Sequence, residues 1–203
     1  MADVLPLPPD AAEQVLAALC ESFHDYPVMR FVLGAKPGYD TRLRTLIGLF
    51  VAARVARGDL MLGIPADEGS LAAAALVNLP GNPTPAAWFD ERREAVWREL
   101  GKAERARYDA YGAASHAFDP VTPHHHLGMI GVRRAAQGTG LARCLLEAVH
   151  GAAFRHSEST GVSLTTELPR NVPLYLHFGY RVVGHARVGP ELETWSMFRD
   201  RTG

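Results

Sequence analysis

The stretch His126 to Ala142, H-L-G-M-I-G-V-R-R-A-A-Q-G-T-G-L-A, constrains this chain more than any other. Leu127 to Val132 is an apolar run with the length of a buried strand. Gln137 to Ala142 follows as a glycine-containing turn. After it, Leu141, Leu145, Leu146 and Val149 recur on one stripe of a helix. Strand, glycine turn and helix in that order make a site for a phosphate. Glycines let backbone N–H groups approach an anion closely. The first-turn N–H groups of a helix lack intrahelical partners and carry partial positive charge. A phosphorylated ligand lying along the strand is therefore expected. Two nucleotide motifs do not fit. A dinucleotide fingerprint needs a third glycine that Gly138-Thr139-Gly140-Leu141-Ala142 lacks, and a Walker loop needs a lysine that does not follow here.

Around this stretch the chain reads as a mixed α/β layer fold. Val4 to Leu7 is a short strand, and Asp10 with Glu13 looks like a capping box opening a helix to about Phe23. Pro27 should break that helix, leaving Asp25 to Met29 as a loop. Its large side chains, Phe23, Tyr26 and Met29, face either the core or a substrate. A second helix spans about Asp40 to Arg57, and Leu60 to Ile64 with Leu71 to Leu79 reads as a hairpin. Gly81-Asn82-Pro83-Thr84-Pro85 is a loop. Residues 86–117 form an amphipathic helix pair split at Gly101, with Trp88, Phe89, Trp97, Tyr108 and Tyr111 on one stripe and charge on the other face. That pair covers the sheet, lids a cleft or serves a dimer. Gly161 to Glu167 is a β-branched strand, and Asn171 reads as the N-cap of a short helix with Pro173 in its first turn. Tyr180 to Val188 and Glu193 to Phe198 are closing strands. All 203 residues make one domain: 1–85 on the substrate side, 86–117 as insert, 124–188 as the core of the phosphate site.

Composition excludes several classes. A net charge of −1 argues against a nucleic-acid scaffold. No apolar stretch reaches the ~18 residues a membrane span needs. The first residues, MADVLPLPPDAAEQ, lack a basic segment followed by an apolar one, so no signal peptide is expected. Cys20 and Cys144 lie far apart in helical patterns and suggest no disulfide framework. The expectation is a soluble cytoplasmic protein, monomer or homodimer, without nucleic-acid or membrane partners. The run His124-His125-His126 has no further ligands spaced for a metal, so none is expected.

Gln137-Gly138-Thr139-Gly140-Leu141-Ala142 resembles the acyl-CoA-binding motif Q/R-x-x-G-x-G/A of the GNAT superfamily of N-acetyltransferases. Asn171 to Tyr180 resembles the later motif of the same family, and the two motifs stand at the expected distance. Glu21 to Pro27, Leu168 to Tyr175 and Thr194 to Met197 are most similar to puromycin N-acetyltransferase-like members. The resemblance implies a GNAT fold: a mixed sheet of about six to seven strands, splayed at the acyl-CoA site and flanked by helices.

It also implies acetyl-CoA as cosubstrate and a primary amine of a small molecule as acceptor. The pantetheine arm would pair with the backbone of Met129, Ile130 and Val132, with Gly131 among the cofactor-binding residues of the same strand. The pyrophosphate would take N–H groups from Gln137, Gly138, Thr139, Gly140, Leu141 and Ala142. Asn171, Leu174, Tyr175 and Phe178 would complete the cofactor side. Tyr175 would protonate the departing thiolate. The general base stays open between Glu167, one of His124, His125 and His126, and water. Phe23, Tyr26, Met29 and Trp195 would line the substrate. A non-catalytic acyl-CoA sensor, or an enzyme acetylating protein lysines or N-termini, are the alternatives.

Overall fold

The computed structural model describes residues 2–81 and 84–202, so Asn82 and Pro83 of the expected loop lie outside the described residues. The strands are β1 (Leu5–Pro6), β2 (Leu60–Pro65), β3 (Leu71–Asn78), β4 (His125–Val132), β5 (Gly161–Thr166), β6 (Arg181–Val188) and β7 (Leu192–Asp200). The helices are α1 (Ala12–Phe23), α2 (Pro27–Leu33), α3 (Tyr39–Arg57), α4 (Trp88–Leu100), α5 (Lys102–His116), α6 (Leu141–Arg155) and α7 (Val172–His177). The strands form one seven-stranded sheet in the order β1-β2-β3-β4-β5-β7-β6. Its neighbours are antiparallel except β4 and β5. A parallel pair needs a crossover, and α6 supplies it. This is the mixed, helix-flanked sheet expected from the sequence.

Two cores result. Leu19, Leu46, Ile47 and Met129 belong to one, which is built from α1 to α4. Leu127, Leu145, Leu146, Leu164 and Tyr175 belong to the other, against α6 and α7. That Leu127 and Met129 face different cores needs a cause, since residues two apart on a strand share a face. In the β3–β4 ladder Leu76 opposes Met129 while Val77 opposes Leu127, so Gly128 is an extra residue. This β-bulge turns β4 over and bends it. Pairing with β5 stops at the same place: His125↔Val162, His126↔Ser163 and Leu127↔Leu164 are the paired residues. Beyond Gly128 the two strands part, and β5 continues against β7 through Thr166↔Trp195.

Three local expectations change. Asp10 does not cap α1, which follows a 3-10 turn at Pro9–Ala11 with no side-chain cap. Glu13 pairs instead with Arg44 of α3. Pro27 does not prolong a loop but opens α2. Its fixed φ suits a first helical position, and Tyr26, at ψ 135°, absorbs the restriction on the preceding residue. Asn171 occupies the N-cap of α7 without capping it. Its side-chain amide donates to Thr166 Oγ1 at 3.3 Å.

The insert splits at Gly101 (φ +113°) into α4 and α5, as expected. Phe89, Trp97 and Leu100 are buried, whereas Trp88 is 46% exposed. Glu104 on α5, 1% exposed, pairs with Lys36 (2.6 Å), Arg42 (2.9 Å) and Arg107 (3.4 Å), tying the insert to α3. Burial raises its pKa, but the Lys36 and Arg42 cations prevail and hold it below the usual carboxylate range. Glu104→Gln should cost about 2–3 kcal/mol at pH 7, read by urea denaturation. A depressed pKa gives stability that is present above the unfolded value and lost as pH falls through the folded one. The difference between wild type and variant should therefore shrink below about pH 4. Equal stabilities at pH 7 would show that the cluster does not hold the insert.

Candidate active site

The glycine turn folds as a cradle. Gly138 (φ +79°) and Gly140 (φ +85°) take left-handed conformations that other residues adopt with strain. Gln137 Nε2 donates to the Val132 carbonyl at 3.2 Å, and Thr139 Oγ1 to the Ala136 carbonyl at 2.6 Å. These side chains brace the turn from within. The Cys144 N–H donates to the Gly140 carbonyl at 3.2 Å and closes the first turn of α6. The N–H groups of Leu141, Ala142 and Arg143 precede that bond and have no intrahelical acceptor. They stand at the positive end of a 15-residue helix. A cavity of about 310 Å³ opens beside them, lined by Val132, Gly138, Gly140, Ala142, Leu174 and Phe178. A Cβ at Gly138 or Gly140 would meet no heavy atom of the described residues within 4 Å.

A larger cavity, about 990 Å³, lies where β4 and β5 part. Met129, Ile130, Asn171 and Tyr175 line it, as do Phe23, Tyr26 and Met29 of the predicted substrate wall. Helix α7 borders both cavities: Asn171 and Tyr175 face the larger, Leu174 and Phe178 the smaller. Gly131 faces neither. A Cβ there would sit 2.2 Å from Ser22 Oγ, so its role is to let α1 pack close to β4. Trp195 is a correction. Its neighbours Thr194 and Ser196 reach Glu167 and the Ser115 carbonyl, so strand alternation turns Trp195 to the opposite face. There it stacks on His185, with centroids 4.6 Å apart, away from the cavity.

Glu167 closes the end of β5 and faces the larger cavity. Its Oε1 accepts hydrogen bonds from Tyr111 Oη (2.9 Å) and Thr194 Oγ1 (2.8 Å), and its N–H donates to Tyr26 Oη (3.3 Å). Burial raises its pKa, and the hydrogen bonds from Thr194, Tyr111 and Tyr26 oppose the shift without cancelling it. The Tyr175 hydroxyl is raised to about 12, by burial first and then by the Glu167 charge, so it stays protonated at neutral pH.

The three histidines separate. His125 is buried on the other side of the sheet against Ser159 (2.9 Å), and burial lowers it to about 4. His126 lines the larger cavity, bonded through Nδ1 to Ser163 (2.8 Å). Burial and then the Arg54 cation lower it to about 3, so it is neutral and weakly basic. His124 lies at the cavity wall, with Nδ1 2.8 Å from the Thr122 carbonyl.

Sequence reasoning singled out neither Thr194 as a partner of Glu167 nor Arg54 as a cavity residue. A signal for Arg54 existed, since it continues the apolar stripe Leu43, Ile47, Phe50 at helical spacing.

Residues 110–198 match the family described as acetyltransferase (GNAT) domain. The whole chain is similar to a histone acetyltransferase HPA2-related acetyltransferase from Corynebacterium glutamicum, at 23% identity and a TM-score of 0.72, over 98% of this chain and 96% of that one. It is similar to arylalkylamine N-acetyltransferase 2 from Aedes aegypti at 16% identity and a TM-score of 0.60, over 97% and 96%. A polyamine N-acetyltransferase from Drosophila melanogaster that forms N-acetylagmatine shares 16% identity at a TM-score of 0.64, over 97% and 98%. The fold is the GNAT fold.

Proposed function

We propose that this chain, which carries a GNAT acetyltransferase domain, transfers an acetyl group from acetyl-CoA directly to a primary amine of a small molecule. What supports the reading most is the convergence at the parting of β4 and β5. A carboxylate with a raised pKa and a protonated tyrosine hydroxyl border one cavity, and α7 joins that cavity to the glycine cradle. The pyrophosphate would take the N–H groups at the start of α6 and the pantetheine would run along β4. Glu167 accepts the proton of the attacking amine, directly or through one water. A β4 N–H near Ile130 receives the developing oxyanion. The carbon–sulfur bond then breaks and the Tyr175 hydroxyl donates to the departing thiolate. With a pKa near 12 it acts as a hydrogen-bond donor that shares its proton late.

The stretches most similar to puromycin N-acetyltransferase-like proteins supply Tyr26, Glu167's neighbour Leu168, Tyr175 and Thr194 around this centre. The small-amine activities in the names of the mosquito and fly enzymes favour the same substrate class. The cover formed by Phe89, Trp97, Tyr108 and Tyr111 over the cavity favours a small acceptor over a protein tail.

Tyr175→Phe should lower turnover about 100-fold with acetyl-CoA affinity nearly unchanged. Free-thiol release and calorimetry measure the two effects separately. Full activity in that variant would remove Tyr175 from the mechanism. Acetyl-CoA binding without thiol release for any amine would favour the sensor.

A further inference from the structure

We propose that the acceptor carries a carboxylate as well as its amine, and that Arg54, inside the larger cavity, binds that carboxylate. The inference rests on the acetyltransferase reading and names its substrate class.

Arg54 is 9% exposed and lines the cavity from α3, on a stripe otherwise occupied by apolar side chains. Its guanidinium forms no ion pair within 4.0 Å among the described residues, and its buried Nε has no hydrogen-bond partner there. A buried cation in this state destabilises the fold unless an anion reaches it. Asp59, just past the end of α3, raises the Arg54 pKa, but burial outweighs it and brings Arg54 to about 10. Asp59 Oδ1 accepts from the Leu79 N–H at 3.0 Å, and its buried Oδ2 has no hydrogen-bond partner among the described residues, so Asp59 does not reach the Arg54 guanidinium. Arg54 thus remains a cation at neutral pH, and no described side chain neutralises it by contact.

The surroundings continue the pattern. Arg57 Nε and Asn78 Oδ1, on residues that also line this cavity, are buried polar atoms without hydrogen-bond partners among the described residues. An Asn amide can turn to present its N–H₂. The Arg54 Nη2 would lie 2.3 Å from a Cβ at residue 128, so the glycine at the bulge lets the guanidinium rest on β4. It therefore sits beside the parting of β4 and β5, on the wall facing the proposed chemistry. The acids lining the cavity are Glu167, Asp109 and Asp119. Glu167 is held by Tyr111 and Thr194, and Asp109 reaches Arg105 at 4.0 Å. A planar guanidinium matches a carboxylate through two parallel hydrogen bonds. Phe89, Trp97 and Tyr108 leave apolar room for the rest of the acceptor.

The experiment uses the full chain with acetyl-CoA and matched acceptors: tyramine with tyrosine, histamine with histidine, agmatine with arginine, and O-phosphoethanolamine as the phosphate-bearing arm. In wild type the carboxylate-bearing member of at least one pair should show kcat/KM at least ~10-fold above its partner. Arg54→Met should raise KM for that member ~100-fold with kcat and acetyl-CoA affinity nearly unchanged, and leave the decarboxylated partner unaffected. Its Tm should rise, because an unpaired buried charge is gone, whereas loss of a merely structural arginine would lower it. Arg54→Lys, which keeps the cation and loses the fork, should fall between the two. A preference for the decarboxylated members or for the phosphate, or an equal loss for both members in Arg54→Met, would overturn the inference and leave acetyl transfer standing. If no acceptor releases thiol, calorimetry with N-acetyltyrosine and N-acetyltyramine decides separately. Binding of N-acetyltyrosine alone, abolished in Arg54→Met, would sustain the carboxylate site without the transferase reading. Equal binding of both, or of neither, would end it.

Discussion

Gly138→Asp is expected to weaken acetyl-CoA binding by at least ~100-fold while the protein stays folded. Two effects contribute, and a control separates them. Any side chain at φ +79° is strained, at a cost of about 1 kcal/mol. Gly138→Ala carries that strain alone. The added Cβ meets no atom of the described residues within 4 Å and extends beside the small cavity. In the aspartate variant a carboxylate stands there, at the turn before the unpaired N–H groups of α6. A like charge about 4 Å from a pyrophosphate opposes binding by about 4 kcal/mol at an effective dielectric near 20, against about 1 in bulk water. Calorimetry should thus find Gly138→Ala within ~10-fold of wild type and Gly138→Asp far below both. Equal affinities for the aspartate variant and wild type would move the anion away from the turn.

Glu167→Gln is expected to lower turnover between ~100- and ~1,000-fold, the usual worth of a positioned base, with acetyl-CoA affinity unchanged. The amide can still accept from Tyr111 and Thr194, so the geometry around it should persist. The pH dependence supplies the sharper test. Burial raises the wild-type Glu167 pKa, so kcat/KM should rise with pH through a value above the ordinary carboxylate range. The variant should lack that limb. If His126 were the base, the limb would persist in Glu167→Gln and lie near pH 3, where burial and Arg54 place that imidazole. Stability should move the other way. A carboxylic acid whose folded pKa is raised gives stability that is complete below the unfolded pKa and lost as pH rises toward the folded one. Ionising Glu167 is therefore a cost, and the glutamine variant should melt no lower than wild type.

The parts of this architecture legible in the sequence were those governed by local pattern. The glycine turn, α6 behind it and the short helix from Asn171 to Gly179 all announce themselves through spacing and punctuation. The unread parts depend on what packs against what. Pro27 looks the same ending one helix as opening the next, and only the burial of Val28, Met29, Val32 and Leu33 makes it the latter. The bulge at Gly128 needs the register of β3 to exist at all. Trp195 and Thr194 differ by one residue, and which of them lies on the side of Glu167 follows from pairing with β5. Glu167 was visible as a carboxylate at a strand end, but Tyr111 and Thr194, which orient it, come from 56 and 27 residues away. Arg54 hid among the many arginines of the helices, since a buried charge and a solvated one read alike until neighbours are known.

One measurement decides whether this chain moves an acetyl group from acetyl-CoA to an amine. The full protein is mixed with acetyl-CoA and the acceptor panel, free thiol is followed in time, and each acceptor is then weighed by mass spectrometry. The expected result is thiol release that depends on the amine, matched mole for mole by an acceptor heavier by one acetyl group. Acetyl-CoA that binds yet yields no thiol with any amine, or thiol release that proceeds equally without one, would contradict it.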